Sequence, residues 1–154
     1  MRHYRIQGIP DALASAARRT MRSPQYGHPA HTELATGYGP CRLCLGTFRE
    51  GAEERVLFTY QPFTDPAALP APGPVFIHRE QCERYDGALL PEPLRPLPLA
   101  VEGYGKGGAL QVQRRVGSEP FEAVLDAVFG HEEVRYAHIR NAEAGCFIAR
   151  VDRE

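Results

Sequence analysis

Four cysteines and six histidines carry most of the chemical potential of this sequence. Cys41 and Cys44 form a Cys-x-x-Cys pair, and His78 and Cys82 form a His-x-x-x-Cys pair. A Cys-x-x-Cys turn can place two thiolates on one ion, and the second pair shares one face if its segment is helical. Because three thiolates and one imidazole suit zinc, the spacing predicts a zinc site or a thiol cluster at Cys41, Cys44, His78 and Cys82.

Two features of the first pair oppose a shared ion. Zinc ribbons usually place glycine or another small residue beside the turn cysteine, whereas Leu45 follows Cys44. If residues 41–45 are extended, the thiols of Cys41 and Cys44 point to opposite faces. Buried or free thiols therefore remain an alternative. A redox pair is less favoured, because residues 46–51 indicate a turn and not the helix that such motifs open.

The fourth cysteine, Cys146, belongs to a predicted hairpin whose loop is residues 142–145. A four-residue loop with Gly145 in the left-handed conformation pairs Asn141 with Cys146, Arg140 with Phe147 and His138 with Ala149. Opposed residues share a face, so His138 lies with Tyr136, Arg140 and Phe147, and apart from Cys146. We take the candidate ligand-binding residues to be His138, Arg140, Asn141 and Arg42.

Two further functions stay open beside the metal site. One is a Cys-dependent hydrolase or transferase in which His138 and Asn141 assist Cys41 or Cys82, although nothing in their linear order supports that pairing. The other is a non-catalytic module that binds a small molecule or a protein through the Arg-rich surface and the proline loops. The segment 1–31 carries five arginines and three histidines against the single acid Asp11.

Local patterns predict the elements that must position these side chains. Strand patterns cover residues 4–9, 54–60 and 75–78, and hairpins are predicted at residues 98–116 and 134–152. Alanine-rich residues 12–19 predict one helix. An apolar face at 3.6-residue spacing predicts a second helix over residues 118–129, with Ser118 as its N-cap. Residues 20–40 show no apolar period and predict a loop.

These patterns predict one α+β domain over residues 1–154, mainly antiparallel sheet, with a packed C-terminal helix. Two long Pro-rich loops, residues 62–74 and 91–98, are expected at the surface. The chain has 154 residues and a net charge of -1, which suits one folded domain and opposes disorder.

The same composition bears on location and partners. No apolar run is long enough for a secretory signal or a membrane span, so we expect a cytoplasmic protein without membrane contact. Lys106 is the only lysine among 18 basic residues, and neither overall basicity nor a recognition helix favours nucleic-acid binding. A partner would be an unknown small molecule or protein, and the oligomeric state is not predicted.

Four short motifs together resemble a known family. They are Tyr-Arg-Ile-x-Gly-Ile at residues 4–9, Gly-Pro-Cys-Arg-x-Cys-Leu at 39–45, Gly-Pro-Val-Phe-Ile-His at 73–78 and Arg-Asn-x-x-x-Gly-Cys-Phe at 140–147. The sequence resembles the domain of unknown function 1203 family over essentially its whole length. The resemblance implies a small bacterial single-domain protein and supplies no activity, cofactor or catalytic residue.

Overall fold

A computed structural model of the chain describes residues 3–37, 39–63 and 72–154. The elements in chain order are β1 (Tyr4–Gln7), α1 (Asp11–Thr20), β2 (His31–Leu34), β3 (Glu54–Tyr60), β4 (Gly73–His78), β5 (Asp86–Gly87), β6 (Leu99–Tyr104), β7 (Leu110–Arg115), α2 (Phe121–Phe129), β8 (Tyr136–Asn141) and β9 (Phe147–Arg153). Short 3-10 helices at Glu92–Leu94 and Lys106–Gly108 flank β6. The predicted α+β class with mainly antiparallel sheet is confirmed.

Six strands form the larger sheet, in the order β5-β1-β9-β8-β6-β7. Helix α2 packs on one face of it, and all five residues of its predicted apolar stripe are buried: Phe121, Val124, Leu125, Val128 and Phe129. They form one core with sheet residues such as Val101, Ile139 and Val151. The predicted C-terminal helix therefore supplies five of the 18 described buried residues of this core.

Helix α2 begins three residues later than predicted. Pro120 occupies the N-cap position and makes no side-chain cap bond, so the expectation that Ser118 caps the helix is wrong. A proline excludes the preceding residue from the helical region, which prevents the helix from starting before Pro120.

Strands β2, β3 and β4 form a smaller antiparallel sheet in that order. Its apolar residues, including Val56, Phe58 and Ile77, pack with Ala14 and Ala17 of α1 in a second core. The predicted loop over residues 20–40 contains β2, which pairs with β3 from His31 opposite Leu57 to Leu34 opposite Glu54. None of the side chains of β2 is buried, so the strand has no apolar alternation for a sequence pattern to show.

The two Pro-rich stretches differ in what can be described. Residues 64–71 of the first lie outside the described residues. The second contains the 3-10 helix Glu92–Leu94, whose Leu94 is fully buried in the larger core. Leu94 therefore anchors part of the second stretch, which sequence reasoning took for a surface connection.

The β8–β9 hairpin keeps most of its predicted register. Arg140 lies opposite Phe147, the Asn141 N–H donates to the Cys146 carbonyl (2.9 Å), and Gly145 takes a φ of 78°. The pairing shifts by one residue between Ile139 and Arg140, so His138 faces Arg150, and the expected pairing with Ala149 is wrong. A bulge of this kind leaves no signature in side-chain alternation alone.

None of the helices in the described part of the chain is long and apolar enough to cross a membrane.

Candidate metal centre

Cys41 and Cys44 lie on a tight turn between β2 and β3. The Leu45 N–H donates to the Cys41 carbonyl and the Cys41 N–H to the Gly46 carbonyl, both at 2.8 Å, so the segment is folded back and not extended. The Gly46 N–H also points at the Cys44 sulfur, 3.4 Å away. Because the turn brings both thiols to one side, the geometric objection to a shared ion does not apply. We call residues 41–46 the cysteine turn.

Leu45 takes the left-handed conformation that a small residue would take more easily, with a φ of 59°. This conformation costs a leucine about 1–2 kcal/mol. Leu45 is fully buried in the larger core, and burial of a leucine contributes about 1.5–3 kcal/mol. Packing therefore offsets the backbone strain, and the turn does not need glycine at this position.

Backbone hydrogen bonds hold the cysteine turn from three directions. The Arg42 N–H donates to the Phe76 carbonyl of β4 (2.9 Å), and the Arg42 carbonyl accepts from Ile9 (2.8 Å). The Tyr85 N–H donates to the Leu43 carbonyl (2.9 Å). A Cβ on Gly8 would lie 2.0 Å from that same carbonyl oxygen, so only glycine permits this approach of the chain to the turn.

His78 and Cys82 reach the site without a helix. His78 is the last residue of β4, and its N–H lies 3.4 Å from the Cys41 sulfur. Cys82 follows in the connection to β5, which has no regular structure. The helical premise for this pair is therefore wrong, yet the end of the strand and the following turn bring both side chains to the cysteine turn.

The side chains of Cys41, Cys44, His78 and Cys82 converge on one point. Their ligand atoms all lie within 4.8 Å of one another. The Cys41 and Cys82 sulfurs are 3.8 Å apart, and the Cys44 sulfur is 3.5 Å from His78 Nδ1. A zinc tetrahedron with ordinary bond lengths has sulfur–sulfur edges of about 3.8 Å and sulfur–nitrogen edges of about 3.5 Å. Two of the edges therefore already have the length that zinc requires.

The other ring nitrogen of His78 is held by the protein. Nε2 is hydrogen-bonded to the Thr47 carbonyl (3.1 Å) and lies 3.4 Å from Glu53 Oε2, an ion-pair distance. A proton on Nε2 leaves the Nδ1 lone pair free and aimed at the thiols. Such an outer partner fixes the ring and strengthens the ligand in metal sites. Phe48 packs on the ring, with the two centroids 4.5 Å apart.

Two arginines place positive charge beside the sulfurs. Arg18 of α1 donates Nη2 to the Cys82 sulfur (3.3 Å) and Nε to the His78 carbonyl (2.9 Å). Arg42 is buried and donates to the carbonyls of Phe147 and Pro40, and it forms no ion pair with any described carboxylate. Burial lowers the pKa of Arg42 to about 10, while the Cys146 and Cys41 thiols act in the opposite direction.

The titration of the four groups is strongly coupled. Hydrogen bonds from Cys44 and Cys82 hold the pKa of the buried Cys41 thiol well below its ordinary value. The pKa of Cys44 is raised, because its thiol bonds to Cys41 and Cys82 and because burial disfavours its charged form. Hydrogen bonds with Cys41 and Cys82 raise the pKa of His78 to about 10. The cluster thus favours negative charge on the Cys41 sulfur, the form in which a thiol binds a metal.

A model of a family described as a protein of unknown function, DUF1203, matches residues 38–153. The chain belongs to the DUF1203 family. No curated protein and no solved structure matched the chain. The family resemblance seen in the motifs is therefore confirmed, and the function of this DUF1203 protein has to be argued from its own site.

The matched segment contains all four candidate ligands and the residues around His78. Arg18 precedes it, as does β1, which pairs with β9 inside the larger sheet. In this DUF1203 protein the candidate metal centre thus includes side chains from both sides of the boundary at residue 38.

The remaining sequence candidates lie outside the cluster. His138 is fully buried and is surrounded by the rings of Phe63, Tyr104, Tyr136 and Phe147, with centroids 4.8–5.5 Å away. Neither of its nitrogens has a hydrogen-bond partner among the described residues. Burial lowers its pKa to about 2, with Arg140 and Arg150 adding to the effect. His138 therefore sits in an aromatic core with no thiol bonded to it, and the geometry gives the hydrolase hypothesis no support.

Cys146 is not part of the Cys/His cluster. Its sulfur lies 3.9 Å from the Ala144 carbonyl in the same loop, and the thiol is free. Arg140 and Asn141 line a pocket at the end of β8, whereas Arg42 belongs to the cysteine turn. The four candidate ligand-binding residues thus fall into three separate environments.

Sequence reasoning missed two contributors to the candidate metal centre. Glu53 belongs to none of the sequence motifs described above, yet its carboxylate faces His78. Arg18 falls only within the predicted helix over residues 12–19. Both residues are distant in sequence from the side chains that they contact; Arg18, for example, lies 64 residues from Cys82. Local spacing carries no signal for such contacts.

Proposed function

We propose that this chain binds one zinc ion through Cys41, Cys44, His78 and Cys82, and that the ion is structural. The observation that carries the proposal is the convergence of four ligand atoms within 4.8 Å. Four protein ligands fill a tetrahedral coordination sphere and leave no position for water or substrate, which distinguishes structural from catalytic zinc sites.

The donor set favours zinc over other ions. Three sulfurs and one imidazole nitrogen form a soft, tetrahedral set, whereas magnesium and calcium prefer oxygen ligands. The widest separation among the ligand atoms must shorten by about 1 Å if it joins two sulfurs, or by about 1.3 Å if it joins a sulfur and the histidine nitrogen, to match a zinc tetrahedron. Rotation of the half-buried side chains of Cys44 and Cys82 supplies a movement of this size.

The charge around the site supports the same ion. Zinc with three thiolates and a neutral imidazole carries one net negative charge, and a buried charge is costly unless it is paired. Arg18 bonds to Cys82, and Arg42 is a buried cation within the cysteine turn that pairs with no carboxylate among the described residues. These two arginines suit the anionic centre better than a cluster of neutral thiols.

The proposed ion would join three segments that contribute its ligands. These are the cysteine turn, the end of β4 and the connection that carries Cys82. Binding an ion at such a junction contributes directly to the free energy of folding. A zinc–thiolate centre also requires reduced thiols, which favours a reducing compartment such as the bacterial cytoplasm.

Elemental analysis of protein prepared without added metal tests the proposal. We expect one zinc per chain in the wild type and in Cys146→Ser, whose thiol lies outside the cluster. Cys82→Ser should hold zinc at least tenfold more weakly, because a hydroxyl is a poor zinc ligand. Cobalt added to apoprotein should give the visible absorption of tetrahedral cobalt–thiolate coordination.

Two results would overturn the zinc assignment. One is wild-type protein with far less than one zinc per chain, together with four thiols that titrate freely. The other is equal zinc retention by Cys82→Ser and Cys146→Ser, which would show that the cluster does not hold the ion.

A further inference from the structure

A second site lies in the larger sheet, away from the metal ligands. It is a pocket of about 360 Å³ between β6, β7 and β8 and the loop after β8. Its polar lining comes from Glu102, Gln113, Arg115, Arg140 and Asn141. Ligand pockets in proteins are usually about 300–1,000 Å³, so this one suits a small molecule.

The carboxylate in the pocket is already satisfied. Glu102 is buried, and its Oε1 accepts from the Tyr104 hydroxyl (2.8 Å) and contacts Arg140 Nε in an ion pair. Its Oε2 accepts from Gln113 Nε2 (3.0 Å). Glu102 therefore balances the charge of Arg140 and has little remaining capacity for a cationic ligand.

Arg140 retains unused donor capacity. The residue is 8% exposed, and Nη1 donates to the Gly145 carbonyl (3.2 Å). Nη2 is buried and has no hydrogen-bond partner among the described residues. A buried donor without an acceptor destabilises the fold, and an acceptor on a bound ligand would satisfy it. Arg140 also lines a second pocket, of about 220 Å³.

Two more donors line the pocket. Arg115 lies opposite Ala100 in the β6–β7 pair and forms no ion pair with any described residue. Asn141 Oδ1 accepts the N–H groups of Glu143 (2.9 Å) and Ala144 (2.8 Å), which leaves its Nδ2 amide as a donor. With Glu102 and Arg140 balanced, Arg115 gives the pocket one net positive charge.

We propose that this pocket binds a small organic monocarboxylate, with the carboxylate held by Arg115, Arg140 and Asn141. One unbalanced positive charge matches a singly charged anion better than a doubly charged phosphate. The planar fork of a guanidinium matches the two oxygens of a carboxylate. The site does not use the metal ligands, so the proposal is independent of the zinc centre.

Titration of the zinc-loaded full chain by two-dimensional amide NMR tests the proposal. The probes are benzoate and hexanoate. Benzamide and hexanamide are their uncharged analogues of the same shape, and inorganic phosphate is a second anion. We expect both carboxylates to shift the Asn141 side-chain and Gly145 backbone signals in a saturable way, and the amides to bind at least about tenfold more weakly.

Arg115→Met supplies the decisive variant, because Arg115 is exposed and its removal leaves the buried Glu102–Arg140 pair intact. It should weaken carboxylate binding about tenfold. Arg114→Met is the matched control, since Arg114 pairs with Glu119 and does not line the pocket.

Any one of four results would overturn the proposal. These are equal binding of benzoate and benzamide, tighter binding of phosphate, the absence of saturable shifts, and unchanged carboxylate affinity in Arg115→Met.

Discussion

Glu53 and Glu54 are adjacent, but their side chains have different environments. Glu53 Oε2 lies 3.4 Å from His78 Nε2, whereas Glu54 pairs with Arg79 at the surface. Outer partners of a metal-bound histidine typically contribute 10–100-fold to metal affinity. We expect Glu53→Gln to weaken zinc binding about tenfold, at the lower end of this range, because the amide keeps an acceptor but loses the charge.

Competition with a chromophoric chelator measures this difference in zinc affinity. Glu54→Gln is the matched control and should bind zinc like the wild type. Identical affinities in the two variants would show that Glu53 does not support His78.

His138 should make the free energy of unfolding depend on pH. Burial holds its pKa at about 2 in the folded chain, whereas an unfolded histidine titrates near 6.5. The unfolded state therefore binds more protons between these values, so stability is complete above about pH 6.5 and falls as the pH is lowered. From pH 7 to pH 5 the loss due to this group is about 2 kcal/mol.

The variant His138→Phe isolates that loss, because phenylalanine fits among the same rings and cannot be protonated. Urea unfolding at several pH values should show a shallower fall in stability for His138→Phe than for the wild type. Both proteins keep the metal centre, whose own pH dependence cancels in the comparison. Parallel curves would contradict the assignment.

At the scale of elements, the cysteine turn depends on the left-handed conformation of Leu45. We expect both Leu45→Ala and Leu45→Gly to destabilise the zinc-loaded protein, since each empties a buried site. Glycine relieves the backbone strain and alanine does not, so Leu45→Gly should be the more stable of the two by about 1 kcal/mol.

Leu43 offers the matched control for this comparison. It is also buried in the turn, but its φ is not positive. There the usual order should hold, with alanine more stable than glycine by about 0.5–1 kcal/mol. Chemical denaturation of the four variants measures both differences, and the same order at both positions would refute the role of strain.

Elements with their own periodic pattern were predictable from the sequence. Strand β3, helix α2 and both hairpins follow from apolar spacing and turn glycines, because burial of one face imposes that spacing. Strand β2 has no such pattern, because none of its side chains is buried. Its pairing with β3 places it in the sheet. The shifted register at His138 and the start of α2 at Pro120 depend on single backbone features that periodicity does not report.

The four members of the Cys/His cluster were predictable as a set because cysteine and histidine spacing narrows the choice. Their arrangement was not, since the turn depends on contacts with Ile9, Phe76 and Tyr85, which are distant in sequence. The contacts of Arg18 and Glu53 could not be predicted for the same reason, because they depend on the packing of α1 and the smaller sheet against the site.

At the scale of the whole molecule, metal removal should affect the two cores unequally. The candidate ligands lie beside the smaller core, which includes Cys41, whereas α2 packs in the larger one. Zinc at 1,000 times its Kd stabilises the folded chain by about 4 kcal/mol. We expect chelation to remove hydrogen-exchange protection from the cysteine turn and the end of β4 while α2 and β8 remain protected.

Hydrogen exchange with and without a chelator, followed by mass spectrometry, gives this comparison directly. Cys146→Ser should respond like the wild type. Uniform loss of protection across both cores would show a single cooperative unit, and unchanged protection at the cysteine turn would contradict a structural role for the ion.

The pairing of β1 with β9 has a practical consequence for protein engineering. Tyr4 lies opposite Arg153, and the Glu154 N–H donates to the His3 carbonyl (2.9 Å), so the two ends of the described chain run side by side. A glycine linker of a few residues could join them, and new termini could open in an exposed loop such as the one around Gly117. Such a circular permutant would keep β1 paired in the sheet, and its new termini in the exposed loop would be free to carry fusion partners.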